Sequence, residues 1–153
     1  MKKHTYFIIA GLIIALDQLT KYAVRSNMQP GERIYILGKW LSLCYVQNTG
    51  TAFSMFAGNK LVTIVLTSLL IVACISYGVK LFKDGKKTLA LLLTCIAAGG
   101  ISNMADRLIH GFVTDMISCG NFAVFNVADI FITCGCFLMM AAVLFMYKNG
   151  EEL

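Results

Sequence analysis

Four long apolar runs divide this chain, at residues 6–24, 61–81, 88–104 and 128–147, each close to the roughly 20 residues that an α-helix needs to cross a hydrocarbon core. In lipid every backbone N–H and C=O must find its partner inside the protein, which a helix achieves within its own segment and an isolated strand does not. The expected fold is therefore an all-α membrane bundle of four transmembrane helices. Composition agrees: 58% of the 153 residues are hydrophobic and 14% charged, against roughly half and a quarter in soluble domains. One proline and the lack of Ser-rich, Gly-rich or charged stretches leave no linker, so residues 1–153 read as a single integral membrane domain. The first run follows Lys2 and Lys3 as a secretory leader would, but it lacks a small-x-small cleavage site and three more runs come after it. It is expected to be kept as a helix.

Basic residues in short loops orient such a bundle. Lys2 and Lys3 precede the first run, Lys80, Lys83, Lys86 and Lys87 surround the turn between the second and third, and Lys148 follows the fourth, which predicts cytoplasmic termini. The formal net charge of +5 is accounted for by these loops, and no basic patch calls for nucleic acid. Residues 25–60 and 102–127 fall on the other side, where Arg25, Arg33, Lys39, Lys60 and Arg107 are spread over longer segments. Residues 34–46, after the Pro30-Gly31 turn, and residues 112–118 and 122–127, around Cys119-Gly120-Asn121, are rich in strand formers, while 51–57 suits a short helix. A small extracytoplasmic antiparallel β-sheet is expected there, resting at the membrane interface with Trp40 and Tyr45 as anchors.

The six cysteines, Cys44, Cys74, Cys95, Cys119, Cys134 and Cys136, form no C-x-x-C pair and no zinc-ligand spacing, and read as small apolar residues. Only Cys44 and Cys119 fall outside the apolar runs, and nothing in the sequence argues for a bond between them. His4 and His110 are far apart, so no metal is expected, and with no nucleotide-binding loop no cofactor is expected either.

Ionisable groups at the edge of lipid cost several kcal/mol unless paired or facing water, and each is a functional candidate. Asp17 and Lys21 stand at i and i+4 on the first helix and can neutralise each other, a structural pair. Asn103, Asp106 and Arg107 share a face at the end of the third helix, one turn beyond Gly99 and Gly100, where another helix can approach closely. That face suits tying the bundle together and touching a substrate equally well. Asp115 and Asp129 are different, since no lysine or arginine lies within four residues of either and both sit among apolar neighbours. Two carboxyls meeting in a poorly solvated site share a proton. The ionised one can then take a proton from water while the protonated one polarises a carbonyl, the division of labour of aspartic peptide hydrolysis.

Taken in order, Asp17-Gln18-Leu19-Thr20-Lys21, Asn48-Thr49-Gly50-Thr51-Ala52-Phe53, Asn103-Met104-Ala105-Asp106-Arg107, Gly111-Phe112-Val113-Thr114-Asp115 and Phe125-Asn126-Val127-Ala128-Asp129 resemble the signature blocks of the bacterial lipoprotein signal peptidases, or signal peptidase II. The resemblance spans essentially the whole chain. It implies an aspartic endopeptidase of the bacterial cell membrane that cleaves the signal peptide from diacylglyceryl-modified prolipoproteins, N-terminal to the lipidated cysteine. By position it makes Asp115 and Asp129 the catalytic pair, with Asn48, Gly50, Asn103, Arg107, Asn126 and Ala128 in substrate-binding or dyad-supporting places and Asp17 and Lys21 as the paired residues of the first helix; Asp106, from its place on the third helix, is expected to be structural as well. Where the family usually carries glycine before the asparagine of the third block, this chain has Ser102. The partners implied are the lipidated substrate and membrane lipids; the chain is expected to act as a monomer, and the loop charges place its site at the outer face.

Other classes predict different patterns. A four-helix proton-coupled transporter places its acid near the bilayer midplane, whereas these carboxylates gather toward the outer ends of the first, third and fourth runs. A membrane thiol oxidoreductase needs paired outer cysteines, and a purely structural subunit leaves Asp115 and Asp129 unexplained.

Overall fold

The computed structural model describes residues 2–50, 60–120 and 123–150. Along them run α1 (Lys3–Asn27), β1 (Arg33–Leu37), β2 (Leu41–Asn48), α2 (Lys60–Lys83), α3 (Lys87–Ile109), β3 (Val113–Cys119), β4 (Ala123–Phe125) and α4 (Val127–Lys148). All four helices are long and apolar enough to span a membrane. They outrun the apolar stretches that announce them: α3 continues to Ile109 instead of stopping near residue 104, because Asp106 and Arg107 are enclosed by protein rather than lipid. The short helix expected over 51–57 lies outside the described residues.

The bundle is built around α3. Residues of α3 are buried on most sides by α1, α2 and α4, while those three turn most of their apolar side chains outward, as a protein solvated by lipid does. Close approach relies on missing side chains. A Cβ on Gly99 would stand 2.7 Å from the Ala128 carbonyl oxygen, and one on Gly135 would stand 2.7 Å from Ile96 Cγ1. At the lysine-rich end, Leu81, Leu89, Ala90 and Leu93 form the core of the α2–α3 hairpin. Tyr6 ties α1 to it, donating its hydroxyl to the Lys87 carbonyl at 3.1 Å and packing edge-on against Phe82.

At the other end the four strands form one antiparallel sheet in the order β1-β2-β3-β4. The strand-rich stretch 34–46 proves to be two strands, turned through Gly38 at φ +52°, a conformation that favours glycine. Of the stretch 122–127, residue 122 lies outside the described residues and 123–125 form β4, which ends there because Asn126 already caps α4. Val24 of α1 and Met28, the residue that caps its C-terminal end, pack against Tyr45 of β2 and Met116 of β3, holding the sheet to the bundle. Tyr45 is therefore interior, only 5% exposed, and the anchoring role expected for it is corrected; Trp40, at 83% exposure, stands free at the surface.

Candidate active site

Two chain reversals bring Asp115 and Asp129 into one neighbourhood. α3 ends where Gly111 adopts φ +85° and its N–H bonds the Arg107 carbonyl at 3.2 Å, which turns the chain into β3 and sets Asp115 in its middle. β3 then pairs with β4, and two residues later α4 begins. Asn126 is the N-cap of α4: its side-chain oxygen accepts from Asp129 N–H at 2.9 Å, and Asp129 Oδ2 accepts from Asn126 N–H at 3.2 Å, a reciprocal capping box. The same Asn126 donates its amide nitrogen to Asp115 Oδ1 at 2.7 Å. One side chain thus starts a helix, fixes one carboxylate through its backbone and holds the other directly.

Register supplies the second grip on Asp115. Val46 of β2 lies opposite Asp115 and Asn48 lies opposite Val113, so Asn48 reaches Asp115 diagonally and donates to its Oδ2 at 2.9 Å. Its own side-chain oxygen accepts from Gly50 N–H at 2.9 Å, which fixes the amide's orientation. Burial pushes the Asp115 carboxyl up to about 6, opposed by the bond from Asn48 and reinforced by the Asp129 charge. Asp115 is 2% exposed, whereas Asp129 is only partly buried, so the pair has an inner and an outer member.

Asp129 is held from α3. Asn103 donates its amide nitrogen to Asp129 Oδ1 at 2.8 Å and accepts from Lys21 Nζ at 2.7 Å on its oxygen. A cation on one side and a carboxylate on the other allow this amide a single orientation. Lys21 also pairs with Asp17 at 2.7 Å and Asp106 at 3.4 Å, all three fully buried. Asp17 closes the circuit by accepting from Ala128 N–H at 2.8 Å, an otherwise orphaned donor in the first turn of α4. Asp106 accepts from Thr114 N–H at 2.9 Å and so fixes β3 next to Asp115. Arg107 donates to the Gly50 carbonyl at 3.0 Å, and its Nε has no partner among the described residues.

Among the described residues, four carboxylates, Asp17, Asp106, Asp115 and Asp129, thus share this volume with three cations, Lys21, Arg25 and Arg107. One proton held between Asp115 and Asp129 brings the set to neutrality, which a poorly solvated site favours.

A family model described as Signal peptidase (SPase) II matches residues 9–145. The chain belongs to the signal peptidase II family. Lipoprotein signal peptidases of Shouchella clausii and Streptococcus pneumoniae are each 38% identical to it, over 95% and 99% of this chain and 97% and 100% of theirs. Its fold is that of a bacterial membrane enzyme solved by the in meso method at 2.3 Å, with TM-score 0.88, 26% identity, and 99% of this chain and 94% of the other covered. The peptidase is thus a multi-pass membrane hydrolase whose described residues form four helices of membrane-spanning length and one four-stranded sheet.

Every site residue singled out in the sequence enters the network, including Ala128 through its backbone and Gly50 through both backbone groups. Gln18, Arg25 and Thr114 are the members that sequence patterning passes over. Gln18 and Arg25 lie on the same α1 face as Asp17 and Lys21, so helical spacing carried a signal; Gln18 donates to Ser102 and Asp106, and Arg25 to Asp106 and Thr114. Ser102 is more than a small spacer, since its hydroxyl donates to Asp17 Oδ2 at 2.7 Å.

Proposed function

We propose that Asp115 and Asp129 are the catalytic pair of this signal peptidase, and that it cleaves diacylglyceryl-modified prolipoproteins on the N-terminal side of the lipidated cysteine. The observation that carries the assignment is the single side chain of Asn126, bonded to Asp115 and to the backbone of Asp129 at once. One carboxylate takes a proton from water, the water oxygen bonds to the scissile carbonyl carbon, and the protonated carboxyl donates to the carbonyl oxygen. Collapse of the tetrahedral species breaks the C–N bond as a carboxyl proton passes to the leaving amine. Asn48 and Asn126 keep Asp115 aimed, Asn103 keeps Asp129 aimed, and Arg107 with Gly50 forms a polar wall suited to the substrate backbone. The start of α4 adds its dipole, which favours negative charge at this spot.

In this reading the chain is a single monomeric domain in the plasma membrane with both termini cytoplasmic, as the lysines at the opposite end support, and with the dyad at the outer face. A lipid-anchored cysteine keeps the scissile bond at that depth, and membrane lipids surround the bundle. The test is cleavage of a diacylglyceryl-modified prolipoprotein by the wild type and by folded Asp115→Asn and Asp129→Asn. Both variants are expected to lose on the order of a thousandfold or more in turnover; near-normal turnover in either overturns the dyad.

A further inference from the structure

A groove of about 380 Å³ runs along the bundle between α1 and α2, floored by α3. It follows the face of α3 marked by Ala90, Leu93, Thr94, Ala97, Ala98 and Ile101, at helical spacing and turned away from Gly99, where α4 packs. From Ala90 to Ile101 it extends roughly 16 Å at about 1.5 Å per residue, about half of a hydrocarbon core of about 30 Å. It is one leaflet deep.

Its walls are apolar and its bed is made of small residues: Ala10 from α1, Gly78 from α2, and Ala97 and Ala98 from α3. Tyr6 and Phe82, packed edge to face, brace the end nearest the α2–α3 turn. At that same end Lys3 from α1 and Lys83 from α2 line the mouth, and neither is in an ion pair among the described residues. Asp84, the acid next to Lys83 in sequence, is exposed and likewise forms no ion pair among them. Lysines anywhere at this end satisfy the orientation rule. Their convergence from two helices on the mouth of a one-leaflet groove is not explained by it.

We propose that this groove is a binding site for one anionic glycerophospholipid, with an acyl chain laid along Ala10, Gly78 and Ala97 and its phosphate between Lys3 and Lys83. A zwitterionic headgroup also brings a cation, which Lys3 and Lys83 at the mouth repel. The substrate's signal helix fits less well, because it must reach the Asp115–Asp129 pair, which α3 serves through Asn103 from a different face. The site is independent of the dyad and stands or falls separately from it.

The probes are dioctanoyl phosphatidylglycerol and dioctanoyl phosphatidylcholine, added to the purified full chain in an uncharged detergent and followed by native mass spectrometry and thermal unfolding. Wild type is expected to retain a single phosphatidylglycerol with a raised Tm, and to retain phosphatidylcholine poorly. Lys3→Gln/Lys83→Gln should weaken phosphatidylglycerol binding on the order of tenfold or more, and Ala10→Phe should fill the groove and abolish it with both lysines in place. Prolipoprotein cleavage at wild-type rate in the uncharged detergent shows that both variants are folded. Equal retention of the two lipids by wild type, or undiminished binding by both variants, overturns the proposal. So does a photoreactive diazirine side chain substituted for Val79 that captures the signal peptide instead of phosphatidylglycerol.

Discussion

Asn126 donates its side-chain amide to Asp115 Oδ1 at 2.7 Å. The other half of that amide caps α4 by accepting from Asp129 N–H, so stability and site geometry meet in one residue but through different atoms. Asn126→Ser keeps an N-cap acceptor and removes the donor. Its Tm should stay near that of wild type while kcat falls on the order of tenfold to a hundredfold; Asn126→Ala should lose activity and in addition about 1 kcal/mol of stability. Equal activity in Asn126→Ser and wild type, measured on the same lipidated substrate, would show that the contact to Asp115 does not matter.

The elevated Asp115 carboxyl, at about 6, makes stability depend on pH in a definite direction. Between about 4, the ordinary carboxylate value, and about 6 the folded chain holds a proton that the unfolded chain has released. The fold is therefore favoured at the acid end of that window and loses this contribution as pH rises through it. Asp115→Asn cannot titrate there, so its Tm advantage over wild type should widen from pH 4 to pH 7. A constant difference across that range contradicts the elevated carboxyl.

Lys21 sits fully buried between Asp17, Asp106 and Asn103. Lys21→Met leaves two buried carboxylates short of their cation and should cost about 3–5 kcal/mol. Removing one of those charges as well, in Asp17→Asn/Lys21→Met, should recover part of the loss, so the two substitutions are not additive. Unfolding titrations of the four proteins of this cycle give the coupling directly, and strict additivity refutes it.

Gly99 touches the first turn of α4, and Gly11 touches nothing within 4 Å of an added Cβ. Gly99→Ala should force α3 and α4 apart, destabilise by about 1–3 kcal/mol and lower cleavage, because the Ala128 carbonyl it meets adjoins Asp129. Gly11→Ala should do neither. Thermal unfolding of both variants, alongside cleavage assays, separates packing at this site from a general intolerance of alanine.

All six cysteines are free, and none enters the Asp115–Asp129 network. A chain with every cysteine replaced by alanine or serine should keep cleavage within a few-fold of wild type, as should wild type treated with a thiol alkylating agent. Loss of cleavage after alkylation of Cys119 alone would point to a role this site does not assign to it.

Much of the site was legible because its members occupy short local blocks. The i, i+4 pair Asp17 and Lys21, the shared face of Asn103, Asp106 and Arg107, and two carboxylates without neighbouring cations are all visible one element at a time. What stayed hidden involves partners remote in sequence. Thr114 carries no local sign of its bonds to Asp106 and Arg25, because those residues lie on other elements. Tyr45 looked like an interfacial anchor because an aromatic residue in a strand has the same composition whether it faces lipid or the sheet's own underside. The face is decided by pairing register, and the bulge between Leu43 and Val46 shifts that register within β2.

By itself the sequence determined the four membrane helices, since twenty apolar residues have one low-cost conformation in lipid, and it determined which charges had to find partners, since an unpaired charge there is too costly to keep. Only the tertiary structure decided which partners those are. Lys21 has an aspartate one turn away on its own helix, yet it also reaches Asn103 and through it Asp129, and Asp17 caps a helix that begins more than a hundred residues later. Pairings across such separations depend on how α1, α3 and α4 pack, which small residues such as Gly99 permit and no local pattern encodes.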